Sequence, residues 1–142
     1  MEGKNEENRE VVEQLRYLQG LYLESYENLL REISNYNIIY EATKRNLEVL
    51  SNLSMIENNK ILLNLEGGTY IEAMVGGVSK VLAYVGSNYL VEKSVEEAKD
   101  FLEENKKREE RLLAELNKQK EAIEKELVEV GIELEKAGNA NV

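Results

Sequence analysis

The side chains of this 142-residue sequence most able to do chemistry are its carboxylates, 28 Asp and Glu against 18 Lys and Arg, with no His and no Cys. Carboxylates act as general acids and bases when a pair is sequestered and its two pKa values are pushed apart. Here they read as solvated groups on helix faces, which offer no such cleft. The absence of His removes the usual general base and the commonest metal ligand. The absence of Cys excludes disulfides and thiolate metal sites. No G-x-x-x-x-G-K-S/T motif is present, and Gly67-Gly68 and Gly76-Gly77 lie in turn-like stretches, not between a strand and a phosphate-binding helix. The expectation is a protein with no catalytic residue, no metal site and no cofactor, whose working chemistry is that of apolar surface.

Charge narrows the partners. A formal net charge of −10 opposes contact with phosphate backbones, which need Lys and Arg to displace counterions. Nucleic acid and anionic membrane are therefore not expected. The first ten residues are polar and charged, with no secretory signal, and the longest apolar runs, such as Val81 to Val85, are far too short to span a bilayer. A cytoplasmic protein is expected.

The elements that position the apolar groups fall into three parts. With no Pro, very long helices are permitted. Residues 8–57 predict one long helix. Its heptad places Val12, Gln19, Tyr26, Ile33, Tyr40 and Leu47 at a, and Leu15, Tyr22, Leu29, Tyr36, Thr43 and Leu50 at d. Ten of those twelve are aliphatic or Tyr, a strong coiled-coil seam; the tyrosines read as seam packing. Residues 94–136 predict a second helix, opened by the capping box Ser94-Val95-Glu96-Glu97. Its seam is Val95, Ala98, Leu102, Asn105, Glu109 and Leu112. After a one-position slip it continues as Leu113, Leu116, Lys120, Ile123, Leu127, Val130 and Leu134. An antiparallel fit sets Tyr26 against Ile123, Tyr40 against Glu109 and Thr43 against Asn105. An arm of about 40 residues would reach roughly 60 Å. Gly131 weakens the second helix, Gly138 is expected to stop it, and residues 137–142 are expected to be a disordered tail.

Residues 61–93 hold five of the nine glycines. Four short runs rich in β-branched residues and Tyr, at 61–65, 69–75, 81–85 and 89–93, predict two β-hairpins, with turns at Glu66-Gly67-Gly68 and Gly86-Ser87-Asn88. The fold class is thus α+β: a long antiparallel α-helical coiled coil with two β-hairpins between the helices. Two hairpins from one chain barely make a core and leave strand edges unpaired. The economical solution is for strands of several copies to assemble into an inter-subunit β-body. Both strand faces are apolar. Leu62, Tyr70, Ile71, Met74, Leu82, Tyr84, Tyr89, Leu90 and Val91 are the candidate oligomerisation residues, the other reading being packing on the chain's own helices.

This arrangement resembles the α-class of prefoldin. Residues 81–102 read V-L-A-Y-V-G-S-N-Y-L-V-E-K-S-V-E-E-A-K-D-F-L, with Gly86, Tyr89, Val91, Glu92, Lys93, Glu97, Ala98 and Phe101 on the family pattern. In the first hairpin, I-L-L-N-L-E-G-G-T-Y-I-E-A, Leu65, Gly68, Tyr70, Ile71 and Ala73 are in place, and Asn46-Leu47-Glu48-Val49-Leu50 resembles the family's first-helix end. Two departures stand out: Asn64 where the family usually has Pro, and Gly76-Gly77-Val78-Ser79 in place of a charged connection. The resemblance implies ATP-independent holding of non-native client proteins and their transfer to a group II chaperonin. It implies assembly with copies of itself or with β-class prefoldin subunits, or, as in the archaeal gamma-prefoldins, self-polymerisation into filaments. Both termini are expected at the free end of the arm. There Val11, Val12, Leu15, Leu18, Val130, Ile132 and Leu134 are the candidate client-binding residues, exposed if the coiled coil frays at Gly131. The alternative is that they are ordinary seam residues.

Overall fold

The computed structural model describes residues 2–139. Helix α1 runs Glu2–Ser51, a single turn α2 spans Leu53–Ile56, and four strands follow: β1 Lys60–Asn64, β2 Tyr70–Met74, β3 Lys80–Gly86 and β4 Tyr89–Ser94. Helix α3 closes the chain at Val95–Asn139. The residues divide into two compact units, one of 2–38 with 111–139 and one of 39–110.

In the first unit, the α1 and α3 stretches run antiparallel. The Tyr26 hydroxyl donates to Glu124 Oε1 at 3.2 Å, one residue beyond the Ile123 expected opposite it. Near the chain ends Asn8 Nδ2 donates to the Ala137 carbonyl at 3.2 Å. Leu29, Leu113, Leu116 and Val130 are buried. The heptad is the reason: every a and d position assigned to the two helices is buried or half-buried, including both Leu112 and Leu113 at the slip. Helix α3 continues through Gly131 and past Gly138 to Asn139. The expected stop at Gly138 and the tail assigned to 137–142 are therefore corrected for 137–139; residues 140–142 lie outside the described residues. A helical Gly costs about 1 kcal/mol relative to Ala, too little to break a helix whose last turn Asn8 also holds.

The second unit contains the helix ends that flank the hairpins. The long helix ends at Ser51, not 57. Asn52 leaves helical geometry (φ −117°, ψ 29°) while its side chain donates back to the Glu48 carbonyl at 2.8 Å, and α2 is a separate turn. Leu47 and Ala98 are the buried apolar residues here, joined by Thr43. Thr43, expected opposite Asn105, bonds a turn further along. Its hydroxyl lies 3.0 Å from Glu109 Oε1 and 3.1 Å from the Ile39 carbonyl, because a glutamate stem reaches a full helical turn further along the seam. At the start of α3, Ser94 Oγ accepts the Glu97 N–H at 3.1 Å, the N-cap half of the expected box.

β1 pairs with β2 and β3 with β4, each antiparallel, as two separate two-stranded sheets. The first hairpin is lengthened by Asn58 N to Val75 O (2.7 Å) and Val75 N to Asn59 O (3.0 Å). Its turn carries three consecutive left-handed residues, Glu66, Gly67 and Gly68. Asn64 Oδ1 receives the Glu66 N–H at 2.9 Å and so steadies the turn. In the second hairpin Gly86 pairs with Tyr89 across Ser87 and Asn88, both at positive φ, the signature of a primed two-residue turn.

Candidate functional site

Two apolar surfaces can act on other molecules, one in each unit. In the hairpin unit, alternation along the strands decides which side chains are covered. Ile61, Ala73, Val81 and Ala83 are half-buried, and their sequence neighbours point the other way and are exposed. No residue of the four strands is buried. All nine candidate oligomerisation residues are exposed, from Val91 at 41% to Met74 and Tyr89 at 70%. On the outer face of β3–β4, Tyr84 stands opposite Leu90 and Leu82 opposite Glu92, with Glu92 in an ion pair to Lys80 at 3.2 Å. Between this hairpin and the adjoining helix ends lies a groove of about 460 Å³ lined by Leu50, Val81, Ala83, Ala98, Phe101 and Leu102, among others. The Lys93 ammonium sits 5.2 Å from the centre of the Phe101 ring. Exposed Met55, Leu63, Leu65 and Val85 extend the apolar surface and were missed by sequence reasoning. Leu63, Leu65 and Val85 escaped because strand alternation puts them on the same face as Ile61 and Val81, which reads as inward, and the unforeseen break at Asn52 concealed Met55.

In the two-helix unit, the seven candidate client-binding residues separate. Val11, Leu18 and Ile132 are exposed; Val12, Leu15 and Leu134 are half-buried in the seam. Val130 is 4% exposed, so in this paired arrangement it is core, not surface, and the helix shows no break at the adjacent Gly131. Exposed Tyr17, Leu21, Leu23 and Val128 were missed. The signal was available: all four are apolar at heptad positions outside a and d.

The polar groups beside the seam are structural. The Glu124 carboxylate that accepts its hydrogen bond raises the Tyr26 phenol above its ordinary value, helped by burial and by the negative charge. Tyr40 is raised in the same way by its 2.7 Å bond to Glu110, then by burial, with Lys44 opposing. Lys44, paired with Glu41 at 2.9 Å, is raised mainly by that bond. Among the described residues, no group of acidic side chains converges as a metal cage, and no helix is long and apolar enough to cross a membrane.

Comparison with known proteins gives a consistent result. Residues 22–140 match the family model described as prefoldin subunit. Prefoldin subunit alpha of Archaeoglobus fulgidus is 31% identical over 127 residues, covering 84% of this chain and 92% of that protein. The Methanococcus vannielii protein of the same name is 29% identical over 137 residues, 94% of this chain and 89% of its own. That of Thermofilum pendens is 39% identical over 85 residues, which span 59% of this chain and 64% of its length. Among solved structures, the filamentous prefoldin of Methanocaldococcus jannaschii superposes with a TM-score of 0.56 at 23% identity, over 83% of this chain and 93% of that one. The last likeness concerns the fold.

Proposed function

This chain belongs to the prefoldin family, and from that premise we propose that it is an ATP-independent holdase subunit of the cytoplasm. Its hairpins join protomers, its helical ends capture non-native proteins, and the captured chains pass to a group II chaperonin. The family is a non-enzymatic chaperone family whose members form oligomers. The observation that carries the reading is the uncovered apolar surface of the hairpins. Two isolated two-stranded sheets with no buried residue are not self-sufficient in water, and a partner strand supplies what they lack. The partner is another copy of this chain or a β-class prefoldin subunit.

The test is suppression of aggregation of a denatured client without ATP. Removing the first 18 residues and everything after residue 128 is expected to abolish protection and leave the assembled mass per protomer intact. Undiminished protection by the trimmed chain would rule out capture by the helical ends. A second reading is polymerisation of the chain on its own into filaments. Free strand edges on both hairpins favour it, as does the fold shared with a filamentous prefoldin. Electron microscopy of the purified chain separates the two: fibres support self-polymerisation, and a small oligomer that forms only with a β-class subunit rejects it.

A further inference from the structure

The outer faces of the two-helix unit carry two shallow grooves in which Glu predominates, the second with one Lys among its three Glu. On α1, Glu10, Glu13, Gln14 and Tyr17 line about 300 Å³. On α3, Glu121, Glu124, Lys125, Val128 and Glu129 line about 400 Å³. Each has one large apolar side chain on its floor, Tyr17 at 71% exposure and Val128 at 62%. Each is rimmed by carboxylates, and of these only Glu124 is engaged in a hydrogen bond or ion pair, with Tyr26 and Lys120. Exposed Leu21 continues the first floor and Ile132 the second, each four residues further along its helix. Tyr17 and Val128 sit outside the seam, so the paired helix does not cover them.

The charge around these grooves is concentrated. Residues 2–20 and 121–139 hold eleven Glu against five Lys and Arg, a net −6 on 38 residues of a chain whose total is −10. A second copy brings the same negative charge and is repelled. Apolar floors want apolar side chains, unpaired carboxylates on the rim want cations, and the Tyr17 ring offers its face to a guanidinium or ammonium.

We infer that these grooves select client segments in which apolar residues are interspersed with Lys or Arg. This deepens the holdase reading and rests on it. Segments of unfolded proteins that are equally apolar but neutral or acidic are held less well.

The test uses the full, assembled chain and three peptides of equal length, with Leu and Tyr alternating with Lys, with Ser or with Glu. The Lys peptide is expected to bind about tenfold more tightly than the Ser peptide at low salt, with the advantage shrinking as salt rises, and the Glu peptide most weakly. Glu10→Gln with Glu13→Gln and Glu121→Gln with Glu129→Gln should each remove several-fold of that preference and leave the Ser peptide unchanged. Glu103→Gln with Glu104→Gln, in the hairpin unit, should leave it intact. Tyr17→Ser with Val128→Ser should weaken the Lys and Ser peptides alike. Equal binding of the Lys and Ser peptides would overturn the selection of basic segments while leaving capture itself standing. Binding of none of the three would overturn both. Loss of the Lys preference in the Glu103/Glu104 variant would show diffuse attraction and reject the grooves.

Discussion

The two-helix unit and the hairpin unit treat apolar side chains in opposite ways. In the first, the seam residues are covered by the opposite helix, and Leu29, Leu113, Leu116 and Val130 are buried. In the second, burial stops at the helix ends, with Leu47 and Ala98, and the strands beyond have no core residue at all. A coiled coil completes itself by folding back, because each helix offers the other a matching stripe. A two-stranded hairpin has two faces and two edges, and a single chain cannot cover them. The helices therefore cover their own apolar stripe within one chain, whereas the hairpins leave apolar faces and strand edges uncovered.

The most direct way to break this contrast is to charge each region in turn. Leu82→Glu with Leu90→Glu should reduce the assembly to monomers by light scattering while the far-ultraviolet helix signal is retained. Leu23→Glu with Leu30→Glu, exposed on α1, should leave the mass unchanged. An equal loss of mass from the helix pair would refute the division of labour.

A smaller effect sharpens the account of the seam. Glu109 Oε2 is buried with no hydrogen-bond partner while Oε1 contacts Thr43, so a half-satisfied carboxyl group is held in the seam at a cost. Thr43→Val with Glu109→Leu should raise unfolding free energy by about 1–4 kcal/mol in chemical denaturation. Thr43→Val alone should lower it by about 1 kcal/mol, by stripping the carboxylate of its one contact. Smaller again, Gly20→Ala and Gly131→Ala should each stabilise by about 0.5–1 kcal/mol, since both glycines are helical and a Cβ at either meets nothing within 4 Å.

The least effect lies in the tyrosines. Tyr26 and Tyr40 have raised folded-state values, so their hydrogen bonds contribute stability that is fully present below the ordinary phenol value of 10.0 and is lost as pH rises through the raised one. Tyr26→Phe with Tyr40→Phe should thus melt slightly below the parent at neutral pH, and the gap should close in strongly alkaline buffer. A gap that widens there would show the hydrogen bonds assigned to the wrong protonation state.

The seam was legible in the sequence because burial on a long helix follows a simple period, and neither Gln19 nor Lys120 disturbs it. The hairpins were legible because Gly67, Gly68 and Asn88 announce backbone that other residues resist. What escaped depended on side-chain reach and on local competition for hydrogen bonds. Thr43 meets Glu109 because a long side chain bridges a turn. Asn52 ends a helix without Gly or Pro by bonding Glu48. Asn64, which departs from the family's Pro, supports its turn through Oδ1. The client-binding candidates were only partly legible. Position along the chain puts Val11 and Val130 together, and only their heptad phase separates a surface valine from a buried one.

The two hairpins share no hydrogen-bonded strand pair, so each keeps its own free edges. A partner strand on one hairpin would leave the other open, so such a protomer could be joined at two places or more. Divalent units obey step-growth logic: a subunit offering only one compatible edge behaves as a chain stopper. In a mixture of that kind the proportion of stopper to joining unit, more than the strength of any single contact, would set how large an assembly becomes.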